Sequence, residues 1–362
     1  MLCRSRVHSA SGVMEEAVAK GEAKSCLMLA PLTLHYYPGR IRDELAAMGY
    51  AVTLANDEYP ANPLGKLLGK FDLPLSRWLT RLTIRRRHLS GSRWDLVVIL
   101  KGRGVGPELV KDLKASGARV VGYHYDALGY DRSTLRWSSV VDRVSTFDYR
   151  DAARQGWPLI PLFSAETGAS RPPEARYAVS AVLRNHSQRL AFVDRVVRAI
   201  GRERAFIYFY EKDALSFLDN LMRQPLLYWR WRRHIHFRPL DFETYREVLA
   251  GSEFTIDYAH PAQTGATMRS VEAAAAGIKT ITNNPNLLDQ PQFDQAGLIV
   301  VDPCMSVAEL RRRVTALIGY RPAARPRSPQ LFLREVLGDV ADDPPSSPAD
   351  ELNQFDAVAV GQ

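Results

Sequence analysis

The chain has 362 residues, 46% hydrophobic and 24% charged, with 48 Lys and Arg against 40 Asp and Glu. Such proportions fit a soluble α/β protein of two domains, and no run approaches the roughly eighteen apolar residues of a membrane span. The net charge of +8 favours anionic partners such as sugar nucleotides, anionic lipids or nucleic acid, without choosing among them.

Residues 1–24 carry charges throughout, unlike a signal peptide, and read as a poorly ordered leader. A first domain is expected over 25–164. It opens with an apolar strand at 26–31, a helix at 37–48 stopped by Gly49, and a strand at 51–55. This spacing is that of βαβ units. Cys26 falls in the first strand as a small core residue. Cys3, Cys26 and Cys304 are odd in number and lack metal-ligand spacing, as reduced thiols would be. Residues 64–89 set Lys66, Lys70, Arg77, Arg81, Arg85, Arg86, Arg87 and His88 among leucines, Phe71 and Trp78. This reads as two basic amphipathic helices broken near Pro74. Either they lie on an anionic membrane surface, or they put their leucines in the core and their cations in water.

The clearest buried strand is 94–100. Lys101-Gly102-Arg103-Gly104-Val105-Gly106 follows it. Its glycines fall at every second position, which is wrong for a dinucleotide fingerprint. A helix at 107–116 and a strand at 119–125 come next. His124 and Asp126 stand at the carboxyl end of that strand, where parallel sheets hold ligands. They are candidates for acid–base work; alternatively, Asp126 caps the following turn. Strands at 142–148 and 159–163 close the domain, and 165–175 is a linker rich in Ser, Pro and Gly.

The second domain is expected over 176–320. Arg184, His186, Ser187 and Arg189 cluster at the carboxyl end of a strand at 177–183. Residues 226–237, LLYWRWRRHIHF, interleave Trp and Arg as single-strand nucleic-acid platforms and membrane-interface patches do. The reading preferred here is a helix or loop leading into a strand, with no nucleic-acid partner. A helix at 241–250 and a strand at 253–258 lead to the stretch around which the chain is organised. Pro261 and Gly265 mark a turn, Thr264 is the expected N-cap, 267–276 is a helix, Gly277 stops it, and 279–282 returns as a strand. A loop entering a helix after a parallel strand is a ready anion site. Glu272 lies seven residues after Gly265, roughly 10 Å along a helix axis. That suits a carboxylate on a ribose below amides on a diphosphate; the alternative is a half-exposed surface Glu. A capping box, Ser306 and Glu309, starts a helix at 306–318. Residues 321–362 are Pro-rich, then acidic, and are expected to be a disordered tail.

The stretch from Gly265 to Gly277, with Glu272 followed by Ala273-Ala274-Ala275-Ala276, resembles the donor-site motif of GT-B glycosyltransferases. The wider string 263–272, QTGATMRSVE, is similar to a bacterial branch of capsule and lipopolysaccharide biosynthesis proteins. The resemblance implies two Rossmann-like domains facing a cleft, the first for acceptor and the second for donor. It implies that Glu272 holds the ribose and that Thr264, Gly265, Ala266 and Thr267 face the diphosphate. Arg184 and Arg189 become diphosphate partners, Arg238 a base-proximal residue, and Lys101 and Gly102 cleft-lining positions. Asp126 becomes the candidate general base, with His124 beside it. Many retaining members carry a second Glu where this chain has Thr264, which leaves the stereochemical outcome open.

The implied activity is metal-independent hexosyl transfer from a nucleotide sugar, a substrate rather than a cofactor, to a surface-polysaccharide or lipid-linked acceptor. No Asp-x-Asp motif stands in a suitable loop. The implied location is the cytoplasm, with peripheral contact at the inner membrane face. A GT-B-like epimerase or hydrolase would use the same donor site without an acceptor. A non-catalytic protein binding anions or membrane surfaces is the other alternative.

Overall fold

Strands that read as unbroken apolar runs must be covered on both faces, which is the condition of a parallel sheet flanked by helices. Leu96–Leu100 (β3) meets it, with all five residues buried. A computed structural model describes residues 23–32, 37–62, 73–164, 172 and 174–339. In it the strands form two separate sheets, and every pairing within them is parallel. The chain divides into two compact units, Pro161–Ser328 and the remainder.

The first unit holds β1 (Lys24–Ala30), α1 (Tyr37–Ala47), β2 (Tyr50–Asn56), α2 (Pro74–Ile84), β3, α3 (Pro107–Ala115), β4 (Arg119–His124), β5 (Arg143–Thr146) and α4 (Tyr149–Gln155). Its sheet runs β2-β1-β3-β4-β5. Leu27, Leu29, Val97, Ile99, Val120 and Trp137 share one core cluster. Cys26 is buried in β1, which pushes its thiol up to about 12.

Two expectations are corrected here. Part of the basic segment, 63–72, lies outside the described residues. In α2, however, Ser76, Thr80 and Ile84 face inward, while Leu75 and Trp78 are exposed. The inner face carries hydroxyls where it docks on the loop after β2, since Thr80 Oγ1 accepts from the Tyr59 amide at 2.9 Å, while Ile84 joins the core. The second correction concerns the tail. Pro329–Leu337 forms a helix, α11, that buries Phe332, Leu333, Val336 and Leu337 in the first unit. Phe332 meets Tyr123 edge-on, with centroids 4.8 Å apart. Residues 340–362 lie outside the described residues.

The second unit holds β6 (Tyr177–Arg184), α5 (Arg189–Ile200), β7 (Ala205–Tyr210), α6 (Ala214–Arg223), α7 (Pro225–Trp231), β8 (Ile235–His236), α8 (Phe242–Ala250), β9 (Ser252–Asp257), α9 (Met268–Ala275), β10 (Lys279–Thr282), β11 (Leu298–Val300) and α10 (Val307–Ala316). Its strands run β11-β10-β9-β6-β7-β8. The chain leaves β6 toward one edge and β9 toward the other, so β6 and β9 flank a topological switch point. Among the described residues no helix is long and apolar enough to cross a membrane.

Phe332→Ala should lower the stability of the first unit by about 3–5 kcal/mol, the usual cost of emptying a buried aromatic site. Urea unfolding reads this directly, and an unchanged midpoint would show that α11 does not belong to that core.

Candidate functional site

The switch point of the second sheet is built around one buried carboxylate. Asp257 ends β9 and is fully buried. It accepts from Thr267 Oγ1 at 2.7 Å, from Ser270 Oγ at 2.6 Å and from Arg269 Nη1 at 3.1 Å. Thr267 also accepts from the Ser270 amide at 3.3 Å and so caps α9. The cap is therefore Thr267 and not Thr264, because Asp257 reaches the hydroxyl at position 267. Thr264, Gly265 and Ala266 are buried in the preceding loop. There Asn284 Nδ2 donates to the carbonyls of Thr264 and Gly265 at 3.2 and 3.1 Å. Gly277 closes α9 with a φ of +63°, the left-handed geometry expected of it.

Cations gather beside this node. Arg189 opens α5, and its guanidinium donates to the Tyr258 carbonyl at 3.1 and 3.3 Å and to the Arg184 carbonyl at 3.0 Å. Burial, then the charge of Arg269, lowers its pKa to about 10. His186 is pushed down to about 3 by burial and by Arg189, Arg184, His260 and Arg269 together. The rings of His186 and His260 are 6.1 Å apart. Arg269 Nε is buried without a hydrogen-bond partner. No side chain caps α5, so its first amides add their partial positive charge to the same place. Ser187, in the loop between β6 and α5, holds a left-handed φ of +57°, a strained conformation of the kind that collects at functional sites. The arrangement carries an excess of fixed positive charge, which suits an anion.

Glu272 sits three residues after Arg269, on the same face of α9. Helix geometry starts only at Met268, so the straight line from Gly265 does not exist, and Glu272 lies roughly 6 Å along the axis from the helix start. Its Oε2 accepts from Tyr245 Oη at 2.6 Å. Burial pushes its carboxyl up to about 8. Beside it, Phe242, Tyr245, Leu249, Ala250 and Ala275 line a small apolar pocket. Arg238 is exposed, and its carbonyl accepts from Tyr208 Oη at 2.8 Å. It does not join the cluster.

The first unit has its own polar cluster at the carboxyl ends of its strands. Lys101 follows β3 with a left-handed φ of +69°, and Gly102 comes next at +66°. A Cβ at Gly102 would meet Ile99 Cγ2 at 2.7 Å, so only glycine fits. This turn places the Lys101 ammonium against the Asp126 carboxylate and 3.8 Å from Asp131. Burial alone would lower the Lys101 pKa, but Asp126, Asp131 and Asp57 outweigh it and raise it. Asp57 follows β2, and its Oδ2 accepts from the Arg103 amide at 3.0 Å. Burial carries its carboxyl up to about 7, against that amide and Lys101. His124 has no exposed surface; its Nδ1 shares a hydrogen bond with Thr134 Oγ1 at 2.7 Å. Burial lowers it to about 4. It is fully buried, whereas the side chains of Lys101 and Asp126 are partly exposed. Asp148 and Asp151 are local scaffolding: Asp148 caps α4 through the Asp151 amide at 3.2 Å, and Asp151 accepts from the Leu128 amide at 2.6 Å.

Sequence reasoning missed Asp57, Asp131, Tyr245, Asp257, His260 and Arg269 as site residues. Asp57 and Asp257 end parallel strands, the same signal that marked Asp126. Arg269 is one turn from Glu272. Tyr245 and Asp131 reach the clusters through tertiary packing and gave no local signal.

No family model and no curated protein matches the chain. Solved structures do match its backbone. AviGT4, a glycosyltransferase involved in avilamycin A biosynthesis, superposes with a TM-score of 0.54 at 15% identity, over 87% of this chain and 98% of that one. UDP-GlcNAc 2-epimerase from Methanocaldococcus jannaschii superposes with a TM-score of 0.53 at 11% identity, again over 87% and 98%. A second structure of that epimerase, in complex with UDP-GlcNAc and UDP, gives a TM-score of 0.50. The fold is GT-B.

The buried carboxyl has a measurable signature. Folded Glu272 keeps its proton to about pH 8, whereas an ordinary glutamate releases it at 4.5. Between those values the unfolded chain binds fewer protons, so stability falls as pH rises. Glu272→Gln removes this contribution. The variant should gain on the parent protein between pH 5 and 8 by up to roughly 1.4 kcal/mol per pH unit. Parallel urea titrations measure the difference, and a flat one would mean that the folded carboxyl is already charged.

Proposed function

We propose that the protein is a metal-independent glycosyltransferase that moves a sugar from a nucleotide-sugar donor to a hydroxyl of a glycan or glycolipid acceptor. The observation that carries this reading is the continuous path along α9, from the cationic switch point at Arg269 to the buried Glu272. Arg184, Arg189 and Arg269 suit a diphosphate, since guanidinium groups pair with phosphate oxygens in bidentate fashion. Glu272 and Tyr245 suit ribose hydroxyls, and the apolar pocket beside Phe242 suits a base. In this reading a ribose hydroxyl takes the place of Tyr245 Oη on Glu272.

As the glycosidic bond of the donor breaks, negative charge grows on the leaving diphosphate. Fixed guanidinium groups and the open amides of α5 stabilise that charge without reorganising. The acceptor hydroxyl must lose a proton. In this reading Asp126, held by Lys101, takes it, and Asp57, near 7, lies in the range in which a general base works best. A second reading has a specific support: epimerase structures share this fold. Such an enzyme would turn over the nucleotide sugar with no acceptor.

Calorimetric titration with UDP, GDP, ADP, TDP and CMP tests the donor site. One nucleoside diphosphate should bind in the micromolar range, and Glu272→Ala and Arg269→Gln should each weaken it roughly tenfold or more. Equal affinity in both variants, or no binding at all, would sink the assignment. Incubating the matching nucleotide sugar alone separates the two readings, because a transferase leaves it largely intact.

A further inference from the structure

We propose that the corner between α6 and α7 is a membrane-docking surface for a bilayer rich in anionic phospholipid. No residue of α6 is buried. Its inner side carries Phe217 and Leu221, which pack against the core of the second unit. Its outer side carries Leu215, Leu218 and Met222, at the i, i+3, i+7 spacing of one helix face. Only Gln224 separates α6 from α7. In α7, Tyr228 and Trp231 are buried, whereas Leu226 and Trp229 point outward. The apolar residues are exposed far beyond what packing leaves by chance: Leu215 80%, Met222 67%, Leu226 83% and Trp229 69%.

Charge decides what covers this surface. From 212 to 233 the sequence has five Lys and Arg against two Asp. Arg223 pairs with Asp219 at 3.0 Å, whereas Arg232 and Arg233 follow the exposed Trp229 and are themselves exposed. Arg232 lies over the Trp229 ring at 4.9 Å, and Arg230 reaches back to Asp194 at 3.2 Å. A second copy of this surface would bring two arginine clusters together. An anionic bilayer accepts both parts: leucines and Met222 enter the acyl boundary, Trp229 sits at headgroup level, and the guanidinium groups meet phosphates. The inference does not rest on the donor-site reading.

The test is co-sedimentation of the full chain with phosphatidylglycerol/phosphatidylcholine vesicles and with phosphatidylcholine vesicles alone. The protein should pellet with the anionic vesicles and far less with the neutral ones. Leu226→Ser with Trp229→Ser should weaken partition roughly tenfold or more. Arg232→Gln with Arg233→Gln should abolish the preference for anionic lipid. Both variants alter exposed side chains, so circular dichroism and melting temperature should match the parent. Equal pelleting of the parent and both variants would overturn the proposal. So would loss of binding in Trp78→Ser of α2 with binding intact in the α6–α7 variants. A variant that changes only the sedimentation coefficient of the free protein would instead mark the surface as a contact between copies.

Discussion

The donor-like site depends on the Asp257 carboxylate. A buried charge is tolerated only when its lone pairs are filled, and Asp257 fills them with Thr267, Ser270 and Arg269. Those three partners fix the first turn of α9. They set where the loop from Gly265 ends, which residue caps the helix, and where Glu272 projects one turn later. The same carboxylate holds Arg269 against the cations at the end of β6. The cationic cluster and the buried Glu272 carboxyl are thus both positioned by a single buried anchor at the end of one strand.

The two sheets carry opposite chemistry at equivalent places. At the end of β3, one ammonium stands among Asp57, Asp126 and Asp131. At the switch between β6 and β9, one carboxylate stands among Arg184, Arg189 and Arg269. Burial makes both arrangements consequential. It raises Asp57 to about 7 and lowers Arg189 to about 10, because each group lacks enough opposite charge to offset its lost hydration. A ligand that supplies the missing charge recovers that deficit on binding. Negative charge would do so in the second unit, and positive charge in the first.

Much of this was legible in the sequence because it is local. β3 is an unbroken apolar run, Gly277 sits where α9 must stop, and Ser306 with Glu309 writes the start of α10. The Glu272 motif marked the strand–helix junction, and the structure buries that glutamate rather than leaving it half-exposed on the surface. What escaped depends on contacts across the chain. The cap moved from Thr264 to Thr267 because Asp257, ten residues earlier, selects among the nearby hydroxyls. Leu75 and Trp78 face outward because α2 docks on the polar loop after β2, which no periodicity in α2 reveals. Phe332 is core because Tyr123, some two hundred residues away, provides its surface. A Pro-rich composition around it pointed instead to disorder.

Parallel topology explains why these distant residues converge. Each crossover returns the chain to the same edge of its sheet, so all carboxyl ends collect on one side. Asp57, Lys101 and Asp126 follow three different strands and meet for that reason. Arg184 and Asp257 are brought together in the same way, across the one gap where neighbouring strands send their chains in opposite directions. A crevice there is left uncovered by any crossover helix, and unpaired amides and charges can persist in it. The fold therefore decides which strand ends converge, while the identities at those few positions decide that the cluster is cationic in one unit and rich in carboxylates in the other.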